Sequence, residues 1–251
     1  MTILVGVLCH DGVVVGADGA MTFSAGQIRT IEQPAKKVYV LCEEHIILAG
    51  TGEVGMGQRF REVVEGAYKQ GLFKSGNTPV NVGTALSALA IKNFASTNAP
   101  NGSFGALLAF PLGDKPQLCE FAVSNFQPEL KTPDIWYVSM GSGQLIVDPF
   151  LALIRRVFWN DGIPSCQDAA FAVHWAITHA IEVNPGGVNK PVNIGMLKCI
   201  EGKFRAALLS AEELAAHAEN VSGVEKHLRK YKDILQGNAG IDPPDLPVVR
   251  D

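Results

Sequence analysis

Strand-forming and helix-forming segments come in blocks along this chain, and the order of those blocks narrows the fold more than any other feature. Residues 2–8 are apolar and β-branched, stop at His10-Asp11-Gly12, and resume as residues 13–18. Two such runs around an Asp-Gly pair read as a β-hairpin. Residues 37–41 and 45–49, on either side of Cys42-Glu43-Glu44, read as a second hairpin. Then the period changes. Val54, Phe60, Val63, Val64 and Tyr68 recur at helical spacing across residues 53–71, and residues 81–97 carry Leu86, Leu89, Ile91 and Phe94 as a second helix. Strands return at 104–110, 117–122 and 135–140, helices at 145–159 and 167–182, and strands again at 192–199 and 203–209. A charged helix over 211–235 leads into the Pro-rich run Asp242-Pro243-Pro244-Asp245-Leu246-Pro247.

The order is thus ββ ββ αα βββ αα ββ α. Strands do not alternate with helices, which argues against a doubly wound parallel sheet. Blocks of antiparallel strands covered by helix pairs give an α+β fold, a four-layer αββα sandwich of two sheets. No internal repeat or linker interrupts the 251 residues. A hydrophobic fraction of 47% with 18% charged residues excludes wholesale disorder. No apolar run reaches the roughly 18 residues of a membrane span, and no charged n-region precedes an apolar stretch. The net charge of −4 argues against nucleic acid as a partner. Cys9, Cys42, Cys119, Cys166 and Cys199 are odd in number and form no CxxC pair. They read as reduced, mostly buried thiols of a cytoplasmic protein, with neither a disulfide framework nor a metal site.

The loudest motif, Gly50-Thr51-Gly52-Glu53-Val54-Gly55, matches GxGxxG after a strand and before a helix. A dinucleotide site would need a strand after that helix and an acid about 20 residues on. A second helix follows instead, and the stretch where the acid should lie reads Lys74-Ser75-Gly76-Asn77. No nucleotide or other cofactor is expected. Ser142 lies in Met-Gly-Ser-Gly-Gln, which is not a GxSxG elbow, and His174 and His179 are five apart, off the spacing of paired zinc ligands.

The first hairpin carries more chemistry. A turn near His10-Asp11 sets opposed residue numbers to sum to about 21, which brings Thr2 and Ile3 beside Asp18 and Gly19. Removal of Met1, which a small second residue permits, would expose a threonine bearing both an α-amine and a hydroxyl. An α-amine with a pKa of about 8 can take the hydroxyl proton and activate the nucleophile. The Lys36-Lys37 strand is the nearest downstream source of a cation to steady the alkoxide, and the Gly50 N–H can serve as an oxyanion donor.

In that order, Thr2-Ile-Leu-Val-Gly-Val, Gly-Val-Val-Val-Gly-Ala-Asp18-Gly, Lys36-Lys37-Val, Leu-Ala-Gly50-Thr-Gly52 and Met-Gly141-Ser142-Gly143 resemble the N-terminal nucleophile hydrolases of the proteasome β-subunit type. The likeness is closest to bacterial proteasome-like peptidases, the betaproteobacterial proteasome homologue among them. It implies a hydrolase domain over residues 1–209, with 210–251 as an appendage. It also implies ATP-independent cleavage of peptides or unfolded proteins, and stacked homo-oligomeric rings. Carried over by position, Thr2 is the nucleophile, Asp18 and Lys37 tune it, Gly50 forms the oxyanion hole, and Ser142 bonds near the amine. Met21, Ala35, Leu48 and Gly52 fall where such a family lines its specificity pocket, implying an apolar or uncharged side chain before the cut. Two departures stand out. The stretch between Asp18 and Lys37 is three residues longer than usual, and Glu182 and Pro185 stand where the family has an Asp and a Ser supporting the threonine. A small-molecule amidase and an inactive ring scaffold remain the rival readings. The charged C-terminal helix reads either as a solvated surface element or as a contact for a ring neighbour or an ATPase unfoldase.

Overall fold

The computed structural model describes residues 2–25, 28–97, 103–160, 162–184 and 186–236. Two five-stranded antiparallel sheets form its middle. In the first, the strands run in the order β10 (Tyr137–Met140), β1 (Leu4–Leu8), β2 (Gly12–Ala17), β11 (Asn193–Ile200) and β12 (Lys203–Leu208). In the second the order is β5 (Val38–Leu41), β6 (Ile46–Gly52), β7 (Phe104–Leu112), β8 (Lys115–Phe121) and β9 (Pro128–Leu130). Helices α1 (Val54–Lys69) and α2 (Pro79–Ala95) cover the outer face of the second sheet. Helices α3 (Gln144–Phe158) and α4 (Cys166–Val183) cover the first, and α5 (Ala211–Leu235) packs on α4. The four-layer αββα arrangement expected from the block order is present.

Side-chain alternation builds the two cores. Ile47 and Ala49 of β6, with Leu107 and Ala109 of β7, point between the sheets. Their neighbours Ile46, Leu48, Ala106, Leu108 and Phe110 point outward, onto Phe60 and Val64 of α1 and Leu86 and Ala90 of α2. A strand whose two faces are both covered needs no polar residue, so β6 and β2 read as continuous apolar runs. Phe60 anchors the outer core, meeting Phe104, Phe121 and Phe126 edge to face at centroid distances of 6.0, 5.1 and 4.9 Å.

Helix ends follow local chemistry. Helix α2 starts earlier than its apolar period suggests, because Thr78 caps it by accepting from the Asn81 N–H at 3.2 Å and Pro79 occupies its first turn. Ser210 and Glu213 form a reciprocal capping box at the start of α5. The principal difference from the sequence reading is a ribbon, β3 (Ala20–Ala25) paired with β4 (Ile28–Pro34), in the long stretch between Asp18 and Lys37. It pairs with itself alone and leaves Phe23 and Ile31 exposed, and no sustained apolar alternation marks its sequence. The short strand β9 is also absent from the sequence reading. Cys9, Cys119 and Cys166 are buried as expected, whereas Cys42 is half-buried and Cys199 exposed. Burial pushes the Cys119 thiol up to about 12, far from a reactive thiolate. No helix among the described residues is long and apolar enough to cross a membrane. The Pro-rich run 242–247 lies outside the described residues.

Helix α5 packs on α4, and its buried residues are His217 and Val221. His217 stacks on His174 of α4 with centroids 6.4 Å apart, and neither Nδ1 has a hydrogen-bond partner. Burial pushes both imidazoles below their ordinary value; the His217 and Lys190 charges add to this at His174, while Glu213 opposes it at His217. Unfolded imidazoles take up protons below about pH 6.5 and the folded ones resist. The stability these rings contribute is therefore full above that pH and lost as pH falls through the window beneath it. Thermal unfolding should show a Tm that drops between pH 7 and pH 5, and His174→Phe/His217→Leu should flatten most of that slope.

Candidate active site

The hairpin register places the chain's beginning beside Asp18. Leu4 pairs with Ala17 across β1 and β2, and one step further the Asp18 N–H donates to the Ile3 carbonyl at 3.3 Å. Asp18 is fully buried and its carboxylate is held from several directions. Oδ1 accepts the Ile3 N–H at 2.9 Å and the Lys37 ammonium at 2.6 Å, while Oδ2 accepts the Ala20 N–H at 3.2 Å and the Asn189 N–H at 3.4 Å. Backbone donors of this kind satisfy a carboxylate that burial would otherwise penalise heavily.

Lys37, 5% exposed, reaches the site from the residue just before β5. Its Nζ donates to Thr2 Oγ1 at 3.3 Å as well as to Asp18. Burial pushes the ammonium below its ordinary value, and the Asp18 carboxylate, with a weaker pull from Glu32, works against that shift. From the other side, the Thr2 nitrogen lies 3.2 Å from Ser142 Oγ, and the Gly143 N–H donates to the Thr2 carbonyl at 3.4 Å. Gly141 makes this approach feasible. Its φ is +94°, and a Cβ there would sit 2.3 Å from the Thr2 carbonyl oxygen. The glycine pair flanking Ser142 is therefore required by the close passage of the first strand.

Gly50 lies on β6 one residue past Ala49, the last position paired with β5, and it lines the cavity in front of Thr2. Gly52 has φ +104°, and a Cβ would come within 2.0 Å of the Ser103 carbonyl, so the apparent phosphate motif is a strand end turning tightly against β7. The cavity measures about 340 Å³ and opens directly onto Thr2 and Lys37. Met21, Leu48 and Gly52 line it, together with Ser142. Ala35 is not among the lining residues; its N–H donates instead to the Gly19 carbonyl at 2.8 Å. Tyr39, Arg61 and Phe104 line the cavity without having stood out in the sequence. Their signal was weak: Tyr39 reads as one more strand aromatic, Arg61 as a solvated helix charge, and Phe104 as core. Glu182 is exposed near the end of α4 and makes no hydrogen bond to Thr2 among the described residues. Pro185 and Met1 lie outside the described residues.

The pair formed by Asp18 and Lys37 is testable by truncation. Lys37→Met leaves a buried carboxylate without its cation and should cost about 3–5 kcal/mol in urea unfolding. Asp18→Asn/Lys37→Met should cost less than the sum of the two single changes by at least about 1 kcal/mol. Additive losses would show that the two groups are not energetically coupled.

A family model described as proteasome subunit matches residues 2–153. Several solved structures share the fold at low sequence identity. Anbu, an ancestral β-subunit, from Yersinia bercovieri is 11% identical with a TM-score of 0.69, over 97% of this chain and 100% of that one. A Gly-1 mutant of Anbu from Hyphomicrobium sp. strain MC1 is 14% identical with a TM-score of 0.71, over 98% and 100%. Anbu in a helical assembly from Pseudomonas aeruginosa is 13% identical with a TM-score of 0.65, over 97% and 98%. No curated protein matches the sequence at a significant level.

Proposed function

Because the chain belongs to the proteasome subunit family, we propose that it is a threonine-type endopeptidase subunit with Thr2 as its nucleophile. The observation that carries this reading is the Lys37 ammonium, set 3.3 Å from Thr2 Oγ1 by its bond to buried Asp18. A cation fixed at that distance stabilises an alkoxide as it forms and needs no rearrangement to do so.

The nitrogen of Thr2 is the base. While Met1 is attached it is an amide without basicity, and once Met1 is removed it is an α-amine near neutral pKa. It takes the proton of Oγ1 as the oxygen attacks a peptide carbonyl carbon. The Gly50 N–H stabilises the oxyanion, and Ser142 Oγ, 3.2 Å from the nitrogen, orients the amine. The amine's proton passes to the departing nitrogen of the substrate, leaving an ester on Thr2 that water hydrolyses. Met21, Leu48 and Gly52 belong to the wall that receives the substrate side chain. The substrates are peptides or unfolded proteins, and the working form is a homo-oligomer of stacked rings; assembly of the Pseudomonas aeruginosa relative supports the oligomeric part of this reading. An ATPase unfoldase would deliver folded substrates to it in the cytoplasm.

A ring scaffold without activity is the second reading, and exposed Glu182 favours it, since that side chain lends Thr2 no support. Intact-mass measurement decides between them. The expected result is loss of Met1 and one adduct on Thr2 with a threonine-directed electrophile, absent in Thr2→Ala and retained in Thr2→Ser. A chain that keeps Met1 and takes no adduct would establish the scaffold.

A further inference from the structure

The cavity in front of Thr2 has a charged wall that the reaction itself does not use. Lys37 is taken up by Asp18. The other two cations that line the cavity, Lys36 and Arg61, both sit over the ring of Tyr39. Lys36 Nζ is 5.7 Å and Arg61 Cζ 5.5 Å from its centroid. The Tyr39 hydroxyl donates to the Lys36 carbonyl at 2.7 Å, which fixes the ring between them. Stacking on an aromatic face holds a guanidinium in place while leaving its N–H edge for an anion.

Little on the protein competes for those donors. Arg61 meets Glu65 at 3.9 Å, a loose pair in which both side chains are more than two-fifths exposed. Lys36 has no ion-pair partner among the described residues. The lining carboxylate is Glu53, and its Oε1 accepts the Ser103 N–H at 3.4 Å. Met21 and Leu48 supply an apolar stretch of wall. The cavity thus offers room for an aliphatic stem and an excess of cationic donors.

We infer that this cavity selects an acidic side chain, so that the enzyme cuts after Glu or Asp. The inference rests on the peptidase reading and departs from the apolar or uncharged preference that the family resemblance implies. Glu suits the site better than Asp, because its longer stem crosses the apolar wall before the carboxylate meets Lys36 and Arg61.

The test uses the full-length protein after Met1 removal and a set of C-terminally amidated fluorogenic peptides, which carry no terminal carboxylate. They differ only in the residue before the cleaved bond: Glu, Asp, Gln, Leu or Lys. The expected kcat/KM for Glu exceeds that for Gln by roughly tenfold, and the margin shrinks as salt rises. Lys36→Glu/Arg61→Glu should reverse the order in favour of Lys, and Arg61→Lys should retain part of the preference for Glu. Equal rates for Glu and Gln, or a preference for Leu, would overturn the inference while leaving the peptidase reading intact. Anisotropy of dye-labelled, non-cleavable amidated peptides ending in Glu or Gln gives a second readout. Tighter binding of the Glu peptide without cleavage of any substrate would overturn the peptidase reading and keep the cationic cavity's preference for an acidic side chain. Equal binding there would overturn the inference without reference to catalysis.

Discussion

The ion pair between Asp18 and Lys37 is the point at which the separate parts of this molecule meet. Asp18 directly follows β2, Lys37 precedes β5, and their 2.6 Å contact joins the first sheet to the second. The same carboxylate accepts the N–H of Ile3, of Ala20 at the start of the β3–β4 ribbon, and of Asn189 before β11. Three distant chain segments, at Ile3, Lys37 and Asn189, are thereby fixed relative to one carboxylate. A buried pair of this kind gains little net stability over an apolar substitute, because desolvation offsets most of the attraction. What it supplies is position. Thr2 Oγ1 lies within reach of the ammonium only because every neighbour of the pair is already placed.

The remaining geometry follows from the same constraint. The first strand must pass close to the turn before α3, and Gly141, with its positive φ, is what permits it. The strand end at Gly50–Gly52 must leave β5 early so that its backbone borders a cavity and not a neighbouring strand. Glycines at these positions look like a nucleotide motif in the sequence because phosphate loops and close backbone packing need the same absence of a side chain. Their neighbours separate the two cases: here the space is filled by Thr2, Ser103 and Phe104.

Much of this was legible from the sequence. The block order of strands and helices leads to two antiparallel sheets between helix pairs, and the Asp-Gly turn sets a register that brings Thr2 to Asp18. Both are local, since period and turn chemistry act over a few residues. The β3–β4 ribbon was not legible, because Phe23 and Ile31 stand exposed on it and no sustained apolar alternation marks its sequence. Nor were Tyr39 and Arg61. One belongs to a strand and the other to a helix 22 positions on, and nothing local distinguishes them from core and surface residues.

The sequence by itself determined the layers, the first hairpin and the nucleophile candidate at its free end, since each depends on contacts between residues close in the chain. Tertiary structure alone decided how the Lys37 ammonium is shared between Asp18 and Thr2, and that Ala35, an expected lining residue, stays out of the cavity. It also set two cations on one tyrosine at the cavity wall. Those outcomes depend on how two sheets and a helix pack across long stretches of chain, and packing is settled by the joint fit of many side chains, which no local pattern records.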